Sequence, residues 1–194
     1  KNGVDFNSSL KIYVSYFTLI DWLPSLWVET FEDLLDEQLD YEDDWSFQFN
    51  YRLTNELTAQ EKRRGWKISC QCSKAQFKCG SCGNSWFSAR VTLLFHYRLR
   101  RGRGTVIMRP LGQSCRNCQD DNFYFPGFVT KTVEDILIKV FSKIRKNCYM
   151  ENDENNVPNT EPSTKRYTKP HESSLCESCL LGICNQDDDN ETCV

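Results

Sequence analysis

Three Cys-x-x-Cys pairs dominate the chemistry available to this chain: Cys79/Cys82, Cys115/Cys118 and Cys176/Cys179, the last followed by Cys184. Two thiolates two residues apart share one tight turn and can grip a metal ion from the same side, and tetrahedral Zn²⁺ takes two such turns. His171 stands five residues before Cys176, and Cys184 stands five residues after Cys179. Two tetrahedral sites need eight ligands, and Cys79, Cys82, Cys115, Cys118, His171, Cys176, Cys179 and Cys184 supply that number. The expectation is two structural Zn²⁺ ions, one held by four cysteines and one by three cysteines and a histidine. Spacing alone leaves open whether the ligand sets interleave.

Sites filled by four protein ligands keep no position for a catalytic water. No HExxH occurs, and the interleaved Cys/His spacing of a RING is missing. A thioredoxin-like pair would open a helix after a strand, whereas the first two pairs here flank a hairpin pattern. The chain reads as a non-enzyme with no small-molecule substrate.

Eleven cysteines could also form a disulfide framework. Secreted disulfide domains usually carry an even count behind a cleavable leader. Here the count is odd, and Lys1-Asn2-Gly3 opens no charged-then-apolar-then-small pattern. The acceptors Asn7-Ser8-Ser9 and Asn190-Glu191-Thr192 lean toward secretion, but the paired spacing outweighs them and favours a reducing, cytosolic setting. Cys70 and Cys72 lie outside the eight-ligand count and read as packing or surface thiols. Cys148 and Cys193 lack partner spacing and read as free, and His96 as a packing histidine.

The elements that must position these ligands follow from periodicity. Residues 25–39 carry Trp27, Phe31, Leu34 and Leu35 on one helical stripe with acidic residues opposite. Residues 45–51 alternate, with Trp45, Phe47, Phe49 and Tyr51 on one side of a strand. The polar run 54–64 reads as a loop or short helix, and 66–72 as extended. A long strand over 89–100 places Val91, Leu93, Phe95, Tyr97 and Leu99 on one face, then turns at Arg101-Gly102-Arg103-Gly104 and returns over 106–108. That hairpin carries the chain from the first knuckle to the second and brings the two together. A second helix over 131–147 repeats Val133, Ile136, Leu137, Val140, Phe141 and Ile144, with Thr132 and Asp135 as a capping box.

The expected fold is α+β: a small antiparallel sheet with two packed helices, stapled by structural zinc. Residues 1–22 are set apart as an N-terminal extension and 23–150 form the zinc-binding domain. Residues 151–170 read as a flexible linker, 171–186 as a knuckle returning to the domain, and 187–194 as an acidic tail.

The net charge of −3 hides an asymmetry. Ten acidic residues and no Lys or Arg lie between Asp21 and Asp44, whereas twelve Lys or Arg and one acidic residue lie between Glu61 and Pro110. Such polarity means internal complementarity or a basic face for an anionic partner. In the second reading, Arg98, Arg100, Arg101, Arg103 and Arg109 would meet RNA or anionic lipid, with Phe95 and Tyr97 as candidate stacking platforms.

The run Cys79-x2-Cys82-x3-Trp86-x-Ser88-Ala89-x-Val91, then Gly112-Gln113-x-Cys115-x2-Cys118, then Cys176-Glu177-x-Cys179-x2-Gly182-Ile183-Cys184 resembles the receptor-transporting protein family with its three-CxxC zinc finger. The resemblance runs from about Trp27 to Gln186 and includes Gly65-Trp66-Lys67 and the helix after Phe128. It implies an accessory protein, or chaperone, that associates with G-protein-coupled receptors of odorant, taste or opioid type and promotes their delivery to the cell surface. It also implies an alternative, an interferon-induced antiviral branch that binds RNA. The family plan places the zinc domain on the cytoplasmic face of the endoplasmic reticulum or plasma membrane, tethered by a C-terminal helix. No apolar segment of about twenty residues occurs before Val194, so the expectation is a truncated chain or a soluble member.

Overall fold

The computed structural model describes residues 20–118, 122–151 and 171–184. Helix α1 (Pro24–Gln38) leads into strand β1 (Asp44–Phe49), a short helix α2 (Ala59–Arg63), and three long strands, β2 (Lys67–Lys78), β3 (Ser85–Arg100) and β4 (Arg103–Pro110). Helix α3 (Thr130–Ile144) follows and unwinds into a π turn over Arg145–Tyr149. A 3₁₀ turn (Ser173–Leu175) and helix α4 (Glu177–Leu180) make up the last described segment.

The four strands form one sheet in the order β1-β4-β3-β2. The β2–β3 and β3–β4 pairs are antiparallel, but β1 runs parallel to β4. The sheet is therefore mixed rather than wholly antiparallel, within an α+β fold. The direction of β1 follows from α1. The carbonyl of Gln38, at the end of α1, accepts from Arg145 Nη1 at 2.8 Å, beside the π turn whose Asn147 reaches Tyr97. That places the end of α1 near the β3–β4 turn, where Asp44 N–H meets the Gly102 carbonyl at 3.0 Å. A strand starting there must run the same way as β4.

Both long helices cover one face of the sheet. The α1 stripe buries Trp27 and Phe31, and α3 buries all six of Val133, Ile136, Leu137, Val140, Phe141 and Ile144. They meet Val91, Leu93, Phe95, Tyr97, Val106 and Met108 from the sheet. Phe31 stacks on Phe141 with ring centroids 5.0 Å apart. Each such side chain contributes about 1.5–3 kcal/mol of burial, so this layer is the main source of stability. A second, smaller core lies on the opposite face, where Leu94 and Cys70 meet Leu53, Leu111 and Ile183.

The start of one helix differs from expectation. Helix α3 begins at Thr130 with Val129 as its cap and no side-chain capping bond. Thr132 therefore lies inside the first turn and cannot cap with Asp135. The capping box is instead at α2, where Thr58 and Glu61 bond reciprocally. The linker expected over 151–170 lies outside the described residues from 152 on, and the acidic tail lies outside them entirely. No helix among the described residues is long and apolar enough to cross a membrane.

Candidate metal centres

The first cysteine turn closes the β2–β3 hairpin. Cys79 directly follows β2, the Cys79 N–H donates to the Asn84 carbonyl at 2.8 Å, and Gly83 N–H returns to the Cys79 carbonyl at 3.0 Å. Gly83 has φ +71°, a conformation that glycine adopts without a Cβ clash. The second turn follows β4, which antiparallel pairing with β3 returns to the same end of the sheet.

Cys79, Cys82, Cys115 and Cys118 converge, with all four sulfurs within 4.8 Å of one another. Cys79 Sγ lies 3.5 Å from Cys118 Sγ, and Cys82 Sγ 3.7 Å from Cys115 Sγ. Sulfurs about 2.3 Å from a tetrahedral Zn²⁺ must stand about 3.8 Å apart, so the donor set fits that ion in chemistry and in size. His171, Cys176, Cys179 and Cys184 form a second such group. Its His171 Nε2 lies 3.0 Å from Cys179 Sγ and 3.9 Å from Cys184 Sγ. The structure thus gathers all eight sequence-picked residues into two groups of four without interleaving. Cys70 and Cys72 join neither group; Cys70 is a free thiol, whereas Cys72 is disulfide-bonded rather than the packing or surface thiol expected.

Local dipoles prepare these thiols. Burial raises the Cys79 pKa, but hydrogen bonds from Tyr124 and from the N–H groups of Cys82 and Ser81 outweigh it and bring the thiol down to about 6. Hydrogen bonding with Cys82 and Cys79 pushes Cys118 the other way. An incoming cation must displace the protons that these thiols hold. Asn84 Nδ2 points at Cys115 Sγ from 3.7 Å, and Ser178 Oγ lies 3.0 Å from Cys176 Sγ. Asn84, Tyr124 and Ser178 orient the sulfurs, and nothing in their spacing singles them out in the sequence.

A clamp that periodicity could not reveal holds the second group to the sheet. Glu177 Oε1 pairs with Arg109 Nη2 at 2.6 Å, and Glu177 Oε2 accepts the Gly112 N–H at 2.6 Å. Arg109 Nη1 also donates to the Leu53 carbonyl at 2.6 Å. Backbone bonds flank the clamp: Ser114 N–H to the Leu175 carbonyl at 2.8 Å and Glu177 N–H to the Gly112 carbonyl at 3.1 Å. Ile183 inserts into the second core. Arg109, read from sequence as part of a basic face, is thus half-buried and committed to this clamp. A cavity of about 620 Å³ is lined by His171, Cys176 and Cys184 of the second group together with Trp86, Ala89 and Gln113.

His96 is buried, and its Nε2 donates to the Thr54 carbonyl at 2.9 Å. Phe95 and Tyr97 are also buried, 0% and 1% exposed, so neither is a stacking platform. Cys70 packs in the second core, where burial pushes its thiol up to about 12. Cys193 lies outside the described residues.

Comparison with known proteins agrees with this geometry. The model of a three-CxxC zinc ribbon family, described as a zinc-binding domain, matches residues 72–182. Receptor-transporting protein 3 of Mus musculus is 36% identical over 126 residues, covering 64% of this chain and 27% of that protein. Receptor-transporting protein 4 of Homo sapiens is 30% identical over 162 residues, covering 82% of this chain and 64% of that protein. Its Mus musculus counterpart is 28% identical over 160 residues, 81% of this chain and 62% of that protein. The chain therefore spans from about a quarter to just under two thirds of these relatives' lengths. No solved structure matches it. The matched zinc-ribbon stretch covers more than half of the chain and contains seven of the eight gathered residues, so the chain belongs to the three-CxxC zinc-binding family and has receptor-transporting proteins as its curated relatives.

Proposed function

We propose that this chain is a non-catalytic accessory protein that assists the trafficking and surface expression of G-protein-coupled receptors, of odorant, taste or opioid type. Two Zn²⁺ ions would staple it, held by Cys79, Cys82, Cys115 and Cys118 and by His171, Cys176, Cys179 and Cys184. When bound, such ions supply cross-linking rather than chemistry, because each centre is filled by protein donors. The observation that carries the reading is the similarity to receptor-transporting proteins over 82% of the chain. The working location would be the cytoplasmic face of the endoplasmic reticulum or plasma membrane, where thiols stay reduced.

Co-expression with a panel of candidate receptors, followed by surface labelling, tests this directly. The expected result is a gain in surface signal for at least one receptor, lost when Cys115 and Cys118 are both replaced by serine. No gain across the panel refutes it. The RNA-binding alternative retains its cations but loses its stacking platforms, since Phe95 and Tyr97 belong to the core.

A further inference from the structure

We infer that the end of the sheet opposite the first cysteine group is a docking surface for an anionic lipid bilayer. Helix α2 brings Lys62, Arg63 and Arg64 to this end, β2 begins at Lys67, β3 ends with Arg98 and Arg100, and the turn and β4 add Arg101 and Arg103. Six of these eight are exposed: Lys62, Arg63, Arg64, Arg100, Arg101 and Arg103. No ion pair among the described residues engages any of the eight. Two stretches distant in sequence, 62–67 and 98–103, thus converge on one positive surface.

A second observation is independent of the charge count. The β3–β4 turn is two residues long with φ +54° at Arg101 and +73° at Gly102. Positive φ at both positions is the signature of a type I′ turn, which favours Asn-Gly. Gly102 fits. Arg101 has a side chain that disfavours the left-handed region, and strain of this kind gathers at functional positions. The fold thus accepts a strained backbone at the β3–β4 turn, and the residue held there is a cation.

The acidic groups nearby bound this surface without covering it. Asp44 lies opposite Arg103 in the β1–β4 register. Asp43 accepts the Tyr149 hydroxyl at 2.7 Å. Glu61 is held by Thr58 within the α2 capping box. The positive strip therefore runs along the β2 and β3 side.

The aromatic inventory favours lipid over single-stranded RNA. Unstacked bases need exposed rings between the cations. Phe95 and Tyr97 are buried, and Arg98 sits over the Trp66 ring, 4.4 Å from its centroid. Point charges suffice for a bilayer, where each added cation near the surface raises partitioning about fivefold. This inference does not rest on the receptor-trafficking reading.

The test is co-sedimentation of the zinc-loaded full chain with vesicles of phosphatidylcholine, alone or mixed with phosphatidylserine. Binding should require phosphatidylserine and should fall at high salt. The combined variant Arg63→Glu, Arg64→Glu, Arg100→Glu should lose it while retaining zinc by native mass spectrometry. Arg101→Asn separates binding from folding: its Tm should rise because the turn strain is relieved, while vesicle binding falls about fivefold. Equal partition to both vesicle types overturns the proposal, as does binding that survives the triple reversal. Capture of single-stranded RNA under conditions where vesicles are not bound assigns the surface to nucleic acid and equally overturns it.

Discussion

Replacing Glu177 by alanine should loosen the second cysteine group from the sheet without unfolding the main core. The carboxylate makes two short bonds, to Arg109 and to the Gly112 N–H, each 2.6 Å long. A hydrogen bond to a charged group contributes about 1.5–3 kcal/mol. Arg109 and Glu177 are 14% and 17% exposed, so water recovers part of the loss, and about 2–4 kcal/mol is the expected net cost. Both partners of the Glu177 carboxylate, Arg109 and Gly112, lie outside residues 171–184, so this energy belongs to docking of that segment. The equilibrium for local opening should rise about 30- to 700-fold.

Hydrogen exchange reads this directly. The amides of Ser114 and Glu177 are bonded across the docking seam and should lose protection by that factor. Amides in the β3–β4 ladder should keep theirs. Glu177→Gln retains a neutral acceptor for Gly112 and should fall between wild type and alanine. Unchanged protection at Ser114 in a folded Glu177→Ala protein would refute the clamp, since that amide bonds the Leu175 carbonyl and is protected while residues 171–184 stay docked.

Chelation of metal from reduced protein should abolish protease resistance in the two cysteine groups, because a structural zinc contributes about 10–16 kcal/mol of apparent binding free energy in small fingers; unchanged circular dichroism and protease resistance would count against it. Gly104→Ala should cost about 3 kcal/mol through overpacking, since a Cβ there would come within 2.0–2.3 Å of Trp45 ring atoms; chemical denaturation checks it. The pKa of His96 is lowered chiefly by burial, although the Thr54 carbonyl opposes the shift. Below its ordinary value of about 6.5 the unfolded chain takes up a proton that the folded state refuses, so stability falls as pH drops from about 7 toward 5. The stability difference between wild type and His96→Gln should therefore shrink over that interval in zinc-saturated protein, and parallel curves would exclude the assignment.

The helices α1 and α3 were legible because each faces a sheet and therefore repeats apolar residues at the helical period. The eight gathered residues were legible because a tight turn fixes thiol spacing locally. Their division into two groups was not, since it depends on which turns meet in space. Capping illustrates the same limit. Thr58-x-x-Glu61 and Thr132-x-x-Asp135 look alike as strings, and only the starting residue of each helix decides which one caps. Leu94 alternates with core residues and looks solvent-facing, yet Leu53 and Ile183, remote in the chain, cover it. The direction of β1 is likewise a tertiary fact, imposed by where α1 ends.

The charge asymmetry takes a different meaning once the strands are placed. Internal complementarity would require the carboxylates of α1 to meet the cations of β3 and β4. The structure puts α1 against the apolar face of the sheet and leaves Glu29, Glu32, Asp33, Asp36 and Glu37 without an ion pair among the described residues. The end of α1 is met by Arg145, which bonds the Gln38 carbonyl and side chain and pairs with Glu151 rather than with a carboxylate of α1. Within the basic region Arg109 pairs with Glu177, from the far end of the chain. Two opposite fields therefore survive folding, one over a helix and one over a sheet end. Unpaired like charges held together destabilise the compact state through self-repulsion. The proposed bilayer contact would set that self-repulsion against an external gain, and Arg101 stands in the turn that would meet it.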